Sequence, residues 1–188
     1  MRFVFSPLHN TTKKQSGFSL IELLITISIV IMVVGAVLVK NTGFNSTVLL
    51  KTQAQEVALD IRTAQQYGVS ARADRTDTGA AYGIYFSAAT PELYQLYLDD
   101  DGDQVYDTGE AVGAAFVLDD RFIINDICVA GTCGSSEVSI AFQRPDFDAA
   151  IYYAGGRATL VEIVVVSRTD TTAQRTVAVY ETGQIAVE

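Results

Sequence analysis

The chain is 188 residues long, 49% hydrophobic, and carries 13 basic against 22 acidic side chains, for a formal charge of −9. That length holds one globular domain plus an appended segment. The acidic balance excludes nucleic-acid partners, which need clustered lysine and arginine, and reads as a solvated surface that keeps the domain soluble.

The chain opens on a short segment containing Arg2, Lys13 and Lys14, followed by the apolar run Phe18–Val39, in which Glu22 is the one charged residue. At about 1.5 Å per residue this run makes a helix of roughly 33 Å, near the thickness of a bilayer's hydrocarbon core. Lysines on the cytoplasmic flank orient it so that Val39 and everything after it lie outside the cytoplasm. An ordinary secretory signal is cut after its apolar stretch, at small residues; here the small residue Gly17 stands before it. A carboxylate at the centre of a spanning helix costs roughly 2.5–3.5 kcal/mol, and less near an end. Glu22 therefore calls for a partner. Its place, five residues into the apolar segment, suits a charge contact with the amine of a neighbouring chain cut at Gly17.

Together the basic leader, Gly17, Phe18, Glu22 and the long apolar helix resemble the processing motif of type IV pilins and type II secretion pseudopilins. The resemblance implies cleavage after Gly17 by a membrane-embedded prepilin peptidase that also methylates the new amino terminus at Phe18. It implies that Glu22 neutralises that amine in an assembling filament. It further implies other pilin or pseudopilin subunits as partners, with an inner-membrane assembly platform and a helper ATPase. The chain is then a single-pass membrane precursor that ends in an extracellular or periplasmic filament. On this reading residues 1–17 are a cleaved leader and 18–39 the transmembrane, filament-core helix.

After Lys40-Asn41-Thr42-Gly43, which are weaker helix formers, apolar periodicity resumes. Leu50, Ala54, Val57, Ile61, Ala64 and Gly68 form one stripe, with Lys51, Gln55, Glu56, Asp60 and Arg62 largely off it. This spacing predicts an amphipathic continuation over 40–73, softened or bent near Gly43. In the resembled family the second half of the helix lies across a sheet.

From 74 to 188 the chain reads as a β-rich globular domain. Strands are expected at 82–86, 93–98, 114–118, 122–125, 138–142, 150–153, 160–166, 176–180 and 184–187, each short and bounded by turn formers. A long helix followed by antiparallel strands defines an α+β fold. The ending Thr176–Ile185, with its turn at Glu181-Thr182-Gly183-Gln184, resembles the final hairpin of H-type, FimT-like minor pseudopilins.

Between two expected strands lies Asp99-Asp-Asp-Gly-Asp-Gln-Val-Tyr-Asp-Thr-Gly-Glu110. Its oxygen donors Asp99, Asp101, Asp103, Val105 (by its carbonyl), Asp107 and Glu110 fall at positions 1, 3, 5, 7, 9 and 12. Calcium takes six to eight oxygens at such spacing, whereas magnesium rarely accepts an all-protein shell. Gln104 departs from the pattern, because position 6 of an EF-hand loop is glycine. The alternative is a solvated hairpin tip with no ion. Cys128 and Cys133 form either a local disulfide, favoured if the domain is exported, or two free thiols; they supply half of a tetrahedral zinc shell.

Catalytic constellations are lacking. The sole histidine, His9, lies in the expected leader, which leaves no Ser-His-Asp or Cys-His arrangement after processing. Neither a phosphate-binding loop nor a nucleophile elbow is present. The sequence therefore reads as a structural subunit rather than an enzyme. The alternatives to a subunit of a type IV pilus-like filament are a minor pseudopilin of a type II secretion system and a membrane-anchored calcium-binding surface protein that never polymerises.

Overall fold

The computed structural model describes residues 17–70 and 80–188, with the side chains of 39–46 outside the description. Among the described residues, helix α1 (Leu20–Ser70) is followed by eleven strands. These are β1 (Tyr82–Ser87), β2 (Leu93–Leu98), β3 (Phe116–Val117), β4 (Phe122–Val129), β5 (Thr132–Cys133), β6 (Glu137–Phe142), β7 (Ala149–Tyr153), β8 (Gly156–Ala158), β9 (Leu160–Ser167), β10 (Gln174–Tyr180) and β11 (Ile185–Val187). The chain divides into two units, Met1–Thr42 and Gly43–Glu188, so the first part of α1 belongs to one and the second part to the other.

In the first unit, Leu20–Leu38 is long and apolar enough to cross a membrane, and none of it is buried. Its two hydroxyl side chains turn back on the helix. Thr26 Oγ1 donates to the Leu23 carbonyl at 2.9 Å and Ser28 Oγ to that of Leu24 at 2.8 Å. Both hydroxyls are thus satisfied without water, as a lipid environment demands.

In the second unit, the helical stripe is buried as its spacing predicts: Leu50, Ala54, Val57, Ile61 and Ala64 are at most 1% exposed. Lys51, Gln55, Glu56 and Arg62 are exposed. The helix continues through Gly43; the softening expected there falls on side chains outside the described residues, as do residues 71–73 of its expected end.

The strands form two antiparallel sheets, ordered β3-β2-β1-β6-β7-β8 and β11-β10-β9-β4-β5. Alternate residues of each face the helix, as period-two strands require. Ile84 and Phe86, Val138, Ile140 and Phe142, Val161, Ile163 and Val165, and Val177 and Val179 join the helical stripe in one core. A polar link crosses it, since the Tyr94 hydroxyl donates to Asp60 Oδ2 at 2.5 Å. Burial and that bond raise the Tyr94 phenol far above its usual range, so it remains a donor.

Four strands depart most from expectation: β3 is shorter than 114–118, β4 is longer than 122–125, and β5 and β8 have no counterpart among the expected strands. β4 runs past Asn125 to Val129, because the register against β9 shifts between Ile124 and Asp126. That bulge absorbs one residue and lets pairing resume. β8, Gly-Arg-Ala, carries no β-branched or aromatic signal, and it pairs by following a tight turn from β7. The outer face of the six-stranded sheet holds a second small cluster, Ala81, Tyr97, Ala141 and Ala150, with Tyr85, Tyr106 and Tyr152 packed on it.

Candidate functional site

The residues of the N-terminal motif sit at the start of α1. Gly17 and Phe18 precede the helix and are exposed, Phe18 by 83%. Glu22 lies in the first helical turn, where a carboxylate also complements the positive helix end. Gly17 has open space on every side that a side chain would use. The Gly17–Phe18 bond is thus exposed, and the apolar segment that follows, Leu20–Leu38, is unburied among the described residues. Residues 1–16, including Lys13 and Lys14, lie outside the described residues.

The acidic loop is the second candidate. It leaves β2 at Asp99 and returns at Ala111, which bridges to Tyr97. Asp99 is 2% exposed and its two oxygens accept the amides of Gly102 (2.8 Å) and Gln104 (3.1 Å). Asp101 accepts from the Asp103 amide and Asp103 from that of Val105. These short turns bring Asp99, Asp101 and Asp103 together, with carboxylate oxygens within 4.8 Å of one another. Burial, together with Glu110 and Asp101 nearby, raises Asp99 above the usual carboxylate range despite its two amide donors.

Asp107 and Glu110 do not join that trio. Glu110, 7% exposed, instead closes the loop, Oε1 accepting the Asp100 amide and Oε2 that of Asp107, both at 2.9 Å. Gln104 resolves the departure noted in the sequence, because its φ of 64° supplies the left-handed turn for which glycine is usual. It is held there by Asp99, by the Tyr97 hydroxyl donating to its carbonyl at 3.1 Å, and by Gln143 bonded to its side-chain amide. Three clustered carboxylates fit a hard divalent cation of high oxygen demand. The supporting residues Tyr97 and Ser139, whose Oγ accepts the Tyr106 amide, escaped sequence reading. A hint existed in Gly83, which pairs directly with Tyr97 and leaves room for its ring.

Cys128 and Cys133 are directly opposed on β4 and β5 and are joined as a disulfide. The bond staples a two-residue turn at Ala130-Gly131, both with positive φ, as a tight antiparallel hairpin favours. Asp126 lies beside the pair, but bonded sulfurs are not metal ligands.

Residues 12–38 match the prokaryotic N-terminal methylation motif. The chain is thus similar to proteins carrying that motif over its N-terminal residues 12–38. Among solved structures, the type IV minor pilin FimU of Pseudomonas aeruginosa (strain PAO1) is similar at 13% identity and a TM-score of 0.43. The match covers 74% of this chain and 92% of that one. No curated protein matches the chain significantly.

Proposed function

We propose that the chain is a structural subunit of a type IV pilus-like filament, processed by a prepilin peptidase after Gly17 and methylated at Phe18. The observation that carries this reading is the methylation motif over residues 12–38, continuous with an apolar segment, Leu20–Leu38, that buries nothing within its own chain. In the precursor that segment lies in the membrane; in the filament it packs against its counterparts. Moving it between these two apolar surroundings gains little hydrophobic energy. Glu22, paired with the amine of a neighbouring Phe18, therefore selects the register, as buried polar groups do in helical seams. Replacing Glu22 by alanine is expected to leave cleavage intact but to lower recovered filament by about tenfold or more, for a lost coupling of roughly 1.4 kcal/mol per subunit contact. Filaments at normal yield from Glu22→Ala, seen by electron microscopy of sheared fractions, would remove Glu22 from assembly.

A second reading within the same class is a minor pseudopilin of a type II secretion system, which the hairpin at β10–β11 favours by resemblance. In either machine the acidic loop is proposed to take calcium through Asp99, Asp101 and Asp103, with Glu110 holding the loop shut. Calcium would stiffen the loop outside the cytoplasm. At about a hundred times its dissociation constant, calcium should stabilise the chain by about 2.7 kcal/mol, and magnesium by much less. The double variant Asp101→Asn/Asp103→Asn should lose that gain; a wild-type melting temperature indifferent to calcium would dismiss the ion.

A further inference from the structure

A cleft of about 240 Å³ opens on the outer face of the six-stranded sheet, between the acidic loop and strands β6 and β7. Tyr85, Tyr106, Tyr152 and Tyr153 line it together with Glu137 and Ser139, and among the described residues no lysine or arginine does. Arg157 is in register with Tyr152 on β8 but lines a separate cleft with Arg144, Asp146 and Asp148. The walls are set in advance of any ligand. The Tyr85 and Tyr106 ring centroids lie 4.6 Å apart with the planes tilted by 30°, and Tyr106 meets Tyr97 edge-on at 5.6 Å. The Tyr106 amide is fixed on Ser139, and the Tyr85 hydroxyl donates to Glu137 Oε2 at 2.7 Å. Burial and that bond raise the Tyr85 phenol above its usual range.

Tyrosine rings present electron-rich faces that attract cations, most strongly when the cation is poorly hydrated and the site partly desolvated. A carboxylate at the rim adds Coulomb attraction, and the chain's charge of −9 brings cations toward it. Anions are repelled by the same field. A neutral sugar would gain from the rings but nothing from the carboxylate. The cleft is smaller than a drug-sized site and suits a compact head group. We propose that it binds an alkylated ammonium group, with Tyr85, Tyr106 and Tyr152 as the aromatic walls and Glu137 as the counter-charge.

The test is calorimetric titration of the full chain in a non-ionic detergent with choline and with Nε-trimethyl-lysine, two sources of the same head group. Both should bind, and the tighter of the two assigns the source. The neutral isostere 3,3-dimethylbutan-1-ol should bind about tenfold more weakly or worse, as should choline to Tyr152→Ala and Glu137→Gln. Thermal midpoints like the parent's show that those variants remain folded, and midpoints lowered in both send the comparison to Tyr152→Phe, which should retain binding. Equal affinity for the neutral isostere, or no saturable choline binding up to about 10 mM, would overturn the proposal.

Discussion

Gly183→Ala is expected to destabilise the β-rich unit by about 3–5 kcal/mol, read from chemical denaturation of the full chain in detergent. Three physical effects add. Gly183 has a φ of 76°, where alanine is disfavoured by roughly 1–2 kcal/mol. A Cβ there would stand 1.9 Å from the Phe147 carbonyl oxygen and 2.7 Å from Gln65 Nε2, and such overpacking costs typically 1–3 kcal/mol. Relief of the clash then moves Gln65, whose amide donates to both the Phe147 carbonyl (2.9 Å) and the Gly183 carbonyl (3.0 Å). Those bonds contribute about 0.5–1.5 kcal/mol each. Gln65 thereby ties helix α1 to the β6–β7 loop and to the β10–β11 turn at one point. A loss below about 1 kcal/mol would mean that the turn relaxes freely and that this junction is not tight.

Gly68→Ala is expected to reverse the usual sign of its substitution. In an open helix interior this change gains about 0.8–1.0 kcal/mol. Here the added Cβ would lie 2.2 Å from the Phe142 carbonyl oxygen and 2.8 Å from its carbon, both backbone atoms of β6. Phe142 ends β6 but is paired with Tyr82 on one side and Ala149 on the other, so its backbone cannot swing aside as a side chain can. The helix must lift from the sheet, which loosens Ala64 and Ile61 behind it. A net loss of up to about 2 kcal/mol follows once overpacking is set against the helical gain. A stabilised Gly68→Ala protein would show that the last turns of α1 are not pressed on β6.

How much of this was legible follows from the range of each signal. The Gly17–Phe18–Glu22 pattern is contiguous in sequence, and the helical stripe repeats within a few residues, so both could be read directly. Most strands could be read too, because β-branched and aromatic residues alternate within each. What escaped depends on partners far away in the chain. Asn125 and Asp126 look like a strand end, yet pairing with β9 carries β4 through them by a bulge. Gly68 and Gly183 read as a stripe member and a turn residue; only contact with Phe142 and Phe147 makes them irreplaceable. In the acidic loop, spacing pointed to six donors, but burial draws Glu110 inward as a clasp and leaves three carboxylates together. Gln104 looked like a misfit until its left-handed backbone and three restraints came into view. The tyrosine cleft was invisible for the same reason, since it assembles residues from β1, β6, β7 and the loop.

The central claim is that this chain is a substrate of prepilin processing, and intact mass spectrometry tests it most directly. The full chain should be expressed with and without an active prepilin peptidase, beside a control precursor that the enzyme is known to cut. The account predicts a product lacking residues 1–17 and carrying one added methyl group at Phe18, formed only when the peptidase is present. A chain left whole and unmethylated, while the control is cut, would contradict it and leave a signal-anchored surface protein.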